Sequence, residues 1–186
     1  MDLAGALEEL KFTIGPGFRK GSDMRVAFTE FLAEQIRASS LLGLRRGASL
    51  VDVARAVGGN AFVDDPDRRG ISMRRDYGLV EFGFDSDPIH GWVCFSAILQ
   101  LHRLRWETAI PNSIRERVMA VPAVVPLGDL RKALMSQGGS LVKRDDQRFS
   151  DFDYYSVAGS GSRISVLTEN DDEMLVANSV WSISLW

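Results

Sequence analysis

The sequence predicts an α+β domain with an antiparallel sheet and helices packed mainly on one of its faces. Three observations carry this expectation. Helical periodicities dominate the first third of the chain. Two apolar stretches, Arg74–Phe84 and Trp92–Trp106, lie together in the middle, joined by the turn-forming Asp85–Gly91. The last third changes to short alternating runs separated by turn signals. Helices, then two strands, then helices, then several strands is the order of an α+β fold, not of alternating βα units.

The two central stretches are expected to be antiparallel neighbours. In the first, Val80, Phe82 and Phe84 share one face, and Leu79, Glu81 and Gly83 the other. In the second, Val93, Phe95, Ala97, Leu99 and Leu101 share one face, opposite the mixed set Trp92, Cys94, Ser96, Ile98, Gln100, His102 and Leu104. That pattern predicts a strand buried on one side and partly covered on the other.

The remaining elements follow in chain order. Leu3, Ala6, Leu7 and Leu10 make a short apolar stripe over residues 2–10. Ser22 is a candidate cap for a helix to about Ser39, with Met24, Phe28, Phe31, Leu32 and Ile36 at helical spacing. Ser49 and Asp52 form a capping pattern ahead of Leu50, Val53, Ala54 and Val57, and Gly58-Gly59 supplies the stop. Residues 60–70 are expected to be a polar connection. Ser113 and Glu116 repeat the capping pattern for a short helix to about Met119. Residues 121–126 are expected to be extended, because residues before proline avoid the helical region. Leu127, Leu130, Ala133 and Leu134 predict one more helix, ended by Gly138-Gly139. Strands are expected at Ser140–Lys143, Tyr154–Ala158, Arg163–Thr168 and Met174–Leu185. No internal repeat is visible. One domain over 1–186 is expected, with the helical segment 1–44 either part of the core or peripheral to it.

Bulk properties narrow the function. The 186 residues carry a net charge of −3, which does not favour a nucleic-acid or anionic-membrane partner. The single cysteine, Cys94, excludes an intrachain disulfide and suits a cytoplasmic setting. The start of the chain lacks the positive segment of a signal peptide, and no apolar run has the length of a membrane helix.

No motif specifies an active site. The segment 49–59 resembles the first half of a helix-turn-helix, but the acidic, proline-containing 60–70 offers no recognition helix. Cys94 and His102 would lie roughly 26 Å apart along one strand, too far for a shared metal or a catalytic pair. His90 is nearer but lacks a third partner. The acidic runs at 64–67 and 171–173 do not match a calcium loop, and Gly159–Ser162 is not a nucleophile elbow. Neither cofactor nor metal is expected.

One region suggests a partner instead. Residues 143–173 hold eight acids against four bases. Asp145, Asp146, Asp151 and Asp153 interleave there with Phe149, Phe152, Tyr154 and Tyr155. Aromatics supply contact area, and carboxylates steer toward a basic surface. These eight residues are the candidate partner-binding set. A hairpin with its aromatics turned into the core is the competing reading.

The order of motifs resembles small actinobacterial immunity-type proteins associated with polymorphic toxins. Gly47, Ser49, Val53 and Gly58 form the leading helix motif, followed by Arg74–Phe84 with its Tyr77-Gly78 step, Leu101–Leu104, and the closing Val180–Leu185. The resemblance covers about residues 45–105 and more loosely the last strands. It implies a cytosolic, non-enzymatic protein that neutralises a cognate toxin by covering its active site. Two alternatives stand beside it. One is a small-ligand or enzymatic domain with a pocket at strand 92–106, using Gln100, His102 and Arg103. The other is an assembly component joining through a sheet edge or the helix 22–39. Oligomeric state is left open.

Overall fold

A computed structural model describes residues 25–106, 109–149, 151–170 and 176–186, and of 146–149 only the backbone. The expected helix at 2–10, the Ser22 cap and the start of the last expected strand lie outside the described residues. The fold is α+β. Among the described residues eight strands form one antiparallel sheet in the order β1-β2-β3-β4-β8-β7-β6-β5. They are β1 (Val63–Pro66), β2 (Ser72–Asp76), β3 (Val80–Asp87), β4 (Gly91–Leu99), β5 (Leu141–Phe149), β6 (Phe152–Val157), β7 (Arg163–Leu167) and β8 (Val180–Ser184). The helices are α1 (Phe28–Ala38), α2 (Leu50–Val57), α3 (Asn112–Arg115) and α4 (Leu127–Ser136). Phe31, Leu32 and Ile36 of α1, Val53 and Val57 of α2, and Leu130 and Leu134 of α4 share one apolar cluster with one side of the strands. Among the described residues no helix is long and apolar enough to cross a membrane.

The two central stretches do pair, with Phe82 opposite Ala97. Three features of these strands differ from the sequence expectation. First, Arg74–Phe84 is a hairpin and not one strand. Asp76 accepts a hydrogen bond from Gly78 N–H at 2.7 Å, and Gly78 takes a left-handed φ of 85° that suits a residue without Cβ. Second, residues 63–66 are a strand and not a loop. Arg75 grips Asp64 through two 2.7 Å bonds and lies 3.9 Å over the Phe62 ring, while Arg74 reaches Asp65 at 3.2 Å. These cross-strand pairs neutralise the acids that made the segment look like solvated loop.

Third, β4 is shorter than 92–106 and changes face midway. Gly83 is opposite Ser96, but Phe84 is opposite Cys94, so Phe95 is an inserted residue. The bulge shifts parity. Cys94, Ala97 and Leu99 face the core, whereas Phe95 is 38% exposed. Beyond Leu99 the chain enters a 3-10 helix at Leu101–Arg105.

The helices also differ in detail from expectation. α1 begins at Phe28 because Val26 is tied into a parallel bridge with Val118, and the Glu30 carboxylate accepts from Ala27 N–H at 3.2 Å. α2 begins at the expected Ser49 cap, which accepts from Asp52 N–H at 3.1 Å. On α2 it is Ala56 and not Ala54 that packs toward the core. Ser113 caps nothing: its hydroxyl donates to the Val57 carbonyl at 3.0 Å, and α3 starts one residue earlier.

The topology contains a repeat that the residues conceal. A helix and a four-strand meander occur twice: α2 with β1 to β4, and α4 with β5 to β8. Each last strand bulges against its predecessor, at Phe95 in β4 and at Trp181 in β8. Counted from the bulges, Cys94, Ala97 and Leu99 match Val180, Ile183 and Leu185, all buried. Ile98 and Ser184 are equivalent positions and lie directly opposite one another. That is the pairing a two-fold axis normal to the sheet requires. The halves share faces and bulges rather than identities, which is why no repeat shows in the sequence.

Candidate functional site

The second side of the sheet, away from the apolar cluster, carries a polar centre flanked by aromatic rings. Its position follows from the turn after β4. Gln100 N–H donates to the Leu79 carbonyl at 2.8 Å, and the 3-10 helix then brings Arg103 back over β3. Arg103 donates to Asp76 at 3.0 Å, to the Gly78 carbonyl at 2.9 Å and to Glu81 at 2.5 Å. Gln100 donates to the other Glu81 oxygen at 2.9 Å. Arg74 stands 3.7 Å from the same carboxylate. Glu81 is thus a buried acid held by two arginines and an amide, the condition under which burying a carboxylate is tolerable. The Asp76 and Glu81 carboxylates and burial act on Arg103 in opposite senses, and its affinity for its proton is raised overall.

Next to this centre is a hollow of about 330 Å³ lined by Asp65, Arg74, Glu81, Gly83, Phe95 and Ile98 among others. The Phe95 ring lies across Gly83. A Cβ on that glycine would stand 2.7 Å from the ring and 2.5 Å from the Ser96 hydroxyl. The bulge and the glycine together lay Phe95 flat on the sheet.

On the other flank the β8 bulge turns Trp181 outward. His102 stacks on it with centroids 4.2 Å apart and planes 7° from parallel, and its Nδ1 lies 3.3 Å from the Trp181 carbonyl. Phe152 meets Trp181 edge-on at 5.2 Å, and Trp106 meets His102 at 6.4 Å. Burial pushes the His102 imidazole below its ordinary range, which favours the neutral ring. Trp106 is 53% exposed, and the cluster forms a partly open aromatic shelf beside Arg103.

The eight residues expected to bind a partner lie on the β5–β6 hairpin, but strand alternation divides them. Phe152 and Tyr154 lie on the second side, with Phe152 against Trp181. Asp153 and Tyr155 lie on the core side, where Asp153 pairs with Lys143 at 2.7 Å and Tyr155 is buried. Asp151 is exposed at the turn and Asp145 is exposed on β5. The side chains of Asp146 and Phe149 lie outside the described residues. The hairpin therefore offers two surfaces, and its second side continues into the Trp181 shelf. Of the residues expected at a pocket, Gln100 and Arg103 meet on Glu81 whereas His102 joins Trp181. Spacing alone does not select Glu81 from the many acid pairs of the sequence, and nothing in it singles out Trp106 or Trp181. The isolated glutamate in an apolar strand was the available signal for Glu81.

Cys94 and His102 lie on opposite sides of the sheet, which separates them more decisively than distance along one strand. Cys94 and His90 line a common hollow of about 640 Å³, but His90 is held 3.0 Å from Asp87. Burial pushes the Cys94 thiol up to about 11. Since the thiolate is the nucleophile, iodoacetamide at pH 8 should leave the folded protein unlabelled and label it fully in denaturant. Labelling of the folded state at the rate of a free thiol would place Cys94 in solvent. Among the described residues no group of three His, Cys, Asp or Glu side chains is arranged to hold a metal ion.

These features define an α+β protein with a duplicated meander and an aromatic–arginine surface on its sheet. No family model matches the chain, and no curated protein or solved structure matches it either.

Proposed function

We propose that the chain is a protein-binding module, an immunity-type protein that acts in the cytoplasm and neutralises a toxin by covering its active site. The observation that supports this best is the shelf of Trp106, His102, Trp181 and Phe152 beside Arg103. Tryptophan and arginine, in a setting that partly excludes water, are the residues on which interface energy concentrates. The exposed acid Asp151 at the turn of the adjoining hairpin favours a basic partner surface, such as that of a toxin acting on nucleic acid. The resemblance to immunity-type proteins supplies the nature of the partner.

The partner is to be captured from the native organism, identified by mass spectrometry and titrated by calorimetry. Trp106→Ala is expected to weaken the complex by about tenfold or more, the scale of one hot-spot side chain. Unchanged affinity would remove the shelf from the interface. A small-ligand role has one observation in its favour, the hollow where Arg74 and Glu81 meet Phe95. A thermal shift with a defined small molecule, abolished by Phe95→Ala, would favour that reading.

A further inference from the structure

The two edges of the sheet are built differently. β1 is four residues long, ends in Pro66, which has no N–H to offer, and carries Asp64 and Asp65. These are the devices that keep an edge strand from pairing with another chain. β5 is nine residues long and has no proline. Its charges and its irregular register begin at Lys143–Arg144 and guard its far end, which leaves the start of the strand, Leu141 to Lys143, as the open part of the edge, with Val142 51% exposed. Among the described residues no strand pairs with its outer edge.

The direction of the free backbone groups follows from the register. Ala158 N–H donates to the Ser140 carbonyl at 3.2 Å, and Leu141 and Lys143 are opposite Val157 and Tyr155. In an antiparallel pair, bonded and unbonded positions alternate. The N–H and C=O groups of Leu141 and Lys143 therefore point away from β6, toward the open edge.

The side chains of the same two residues line a groove. It runs between β5 and α4, holds about 610 Å³, and is walled on the helix by Arg131 and Met135. Those two are one helical turn apart and share a face. Met135 is 64% exposed. Lys143 is paired with Asp153, and no ion pair is formed by Arg131 among the described residues. Among the described residues the acids nearest the groove are Asp153 and Asp145, which act on Lys143, and none lies on its wall beside Arg131.

We propose that this edge binds an extended peptide segment of another protein, which adds as a ninth strand between β5 and α4. The backbone of Leu141 and Lys143 supplies the ladder. Alternate side chains of the peptide enter the groove, one apolar against Met135 and Leu141, and one acidic, two residues away, against Arg131. Main-chain bonds with alternating pockets are the general mode of strand addition, and Arg131, the groove cation that forms no ion pair among the described residues, selects the carboxylate. This surface is separate from the aromatic shelf and does not depend on it.

The test is a titration of the full-length, ¹⁵N-labelled protein with the acetylated, amidated peptide Thr-Glu-Thr-Val-Thr-Glu. Shifts confined to Arg131–Met135 and Leu141–Lys143, with slowed amide exchange at Leu141 and Lys143, are expected at millimolar peptide. Arg131→Glu should weaken binding about tenfold and restore it for the same peptide with lysine in place of glutamate. Absence of shifts at these residues, or shifts that survive Arg131→Glu unchanged, would overturn the proposal. Leu141 and Lys143 amides already protected in the free monomer would assign the edge to another part of this chain. Protection that grows with protein concentration would assign it to a second copy. Either result overturns the peptide assignment.

Discussion

Phe82→Ala is expected to cost about 3–5 kcal/mol, the range for removing a large aromatic side chain from a close-packed core. Phe82 is fully buried in β3. Its ring meets Tyr77 edge-on at 6.1 Å and Phe84 at 6.5 Å. Its neighbours β2 and β4 are held by backbone ladders on both sides, so the surroundings cannot collapse into the space left behind. Against a total stability of roughly 5–15 kcal/mol, the loss is a large share, and the urea midpoint should fall sharply. Phe95→Ala is the control. Phe95 lies flat on the second side and is partly solvated, so about 1 kcal/mol or less is expected from it. Equal losses from the two substitutions would mean that the bulge does not reverse the faces of β4.

Arg103→Met is expected to cost about 3 kcal/mol, near the lower end of the range for leaving one partner of a buried ion pair alone. Glu81 has a side chain only 8% exposed, and Arg103 is its nearest cation. Without Arg103, Glu81 keeps Gln100 and the more distant Arg74 at 3.7 Å, which is why the upper end of the range is not reached. The same substitution frees Asp76 and the Gly78 carbonyl, loosening the turn between β2 and β3. Adding Glu81→Gln should recover most of the loss, because the uncompensated charge then disappears. A loss under about 1 kcal/mol would place the network in the class of screened surface pairs.

Both substitutions bear on the proposed function. Arg103 anchors the 3-10 helix that carries His102 toward Trp181. A partner that docks on the shelf should therefore respond to Arg103→Met as well as to Trp106→Ala. Only the second substitution leaves the stability network untouched, so it is the cleaner probe of binding.

The residues alone determined a good deal about this protein. Local periodicity and chemistry placed α2 with its Ser49 cap, α4, the pairing of β3 with β4, and the existence of the four strands of the last third, but not all their bounds. β5 runs on to Phe149, past the expected Lys143, and β8 begins only at Val180, after a turn where strand was expected. These signals are legible because capping, turn formation and amphipathic alternation act over a few residues. Other features were decided only by the tertiary structure. Asp64 and Asp65 became strand because Arg75 and Arg74 lie beside them across the sheet. The inserted Phe95 moved Cys94 into the core and itself out of it. Strand alternation split the acidic–aromatic hairpin between two surfaces. The shelf unites Trp106 with Trp181 and Phe152, and the polar centre unites Glu81 with Arg103. Each of these depends on which distant residues become neighbours, and neighbour relations across a sheet are set by register and bulges. A single inserted residue reverses every face that follows it, so periodicity along one strand cannot foretell which residues will meet.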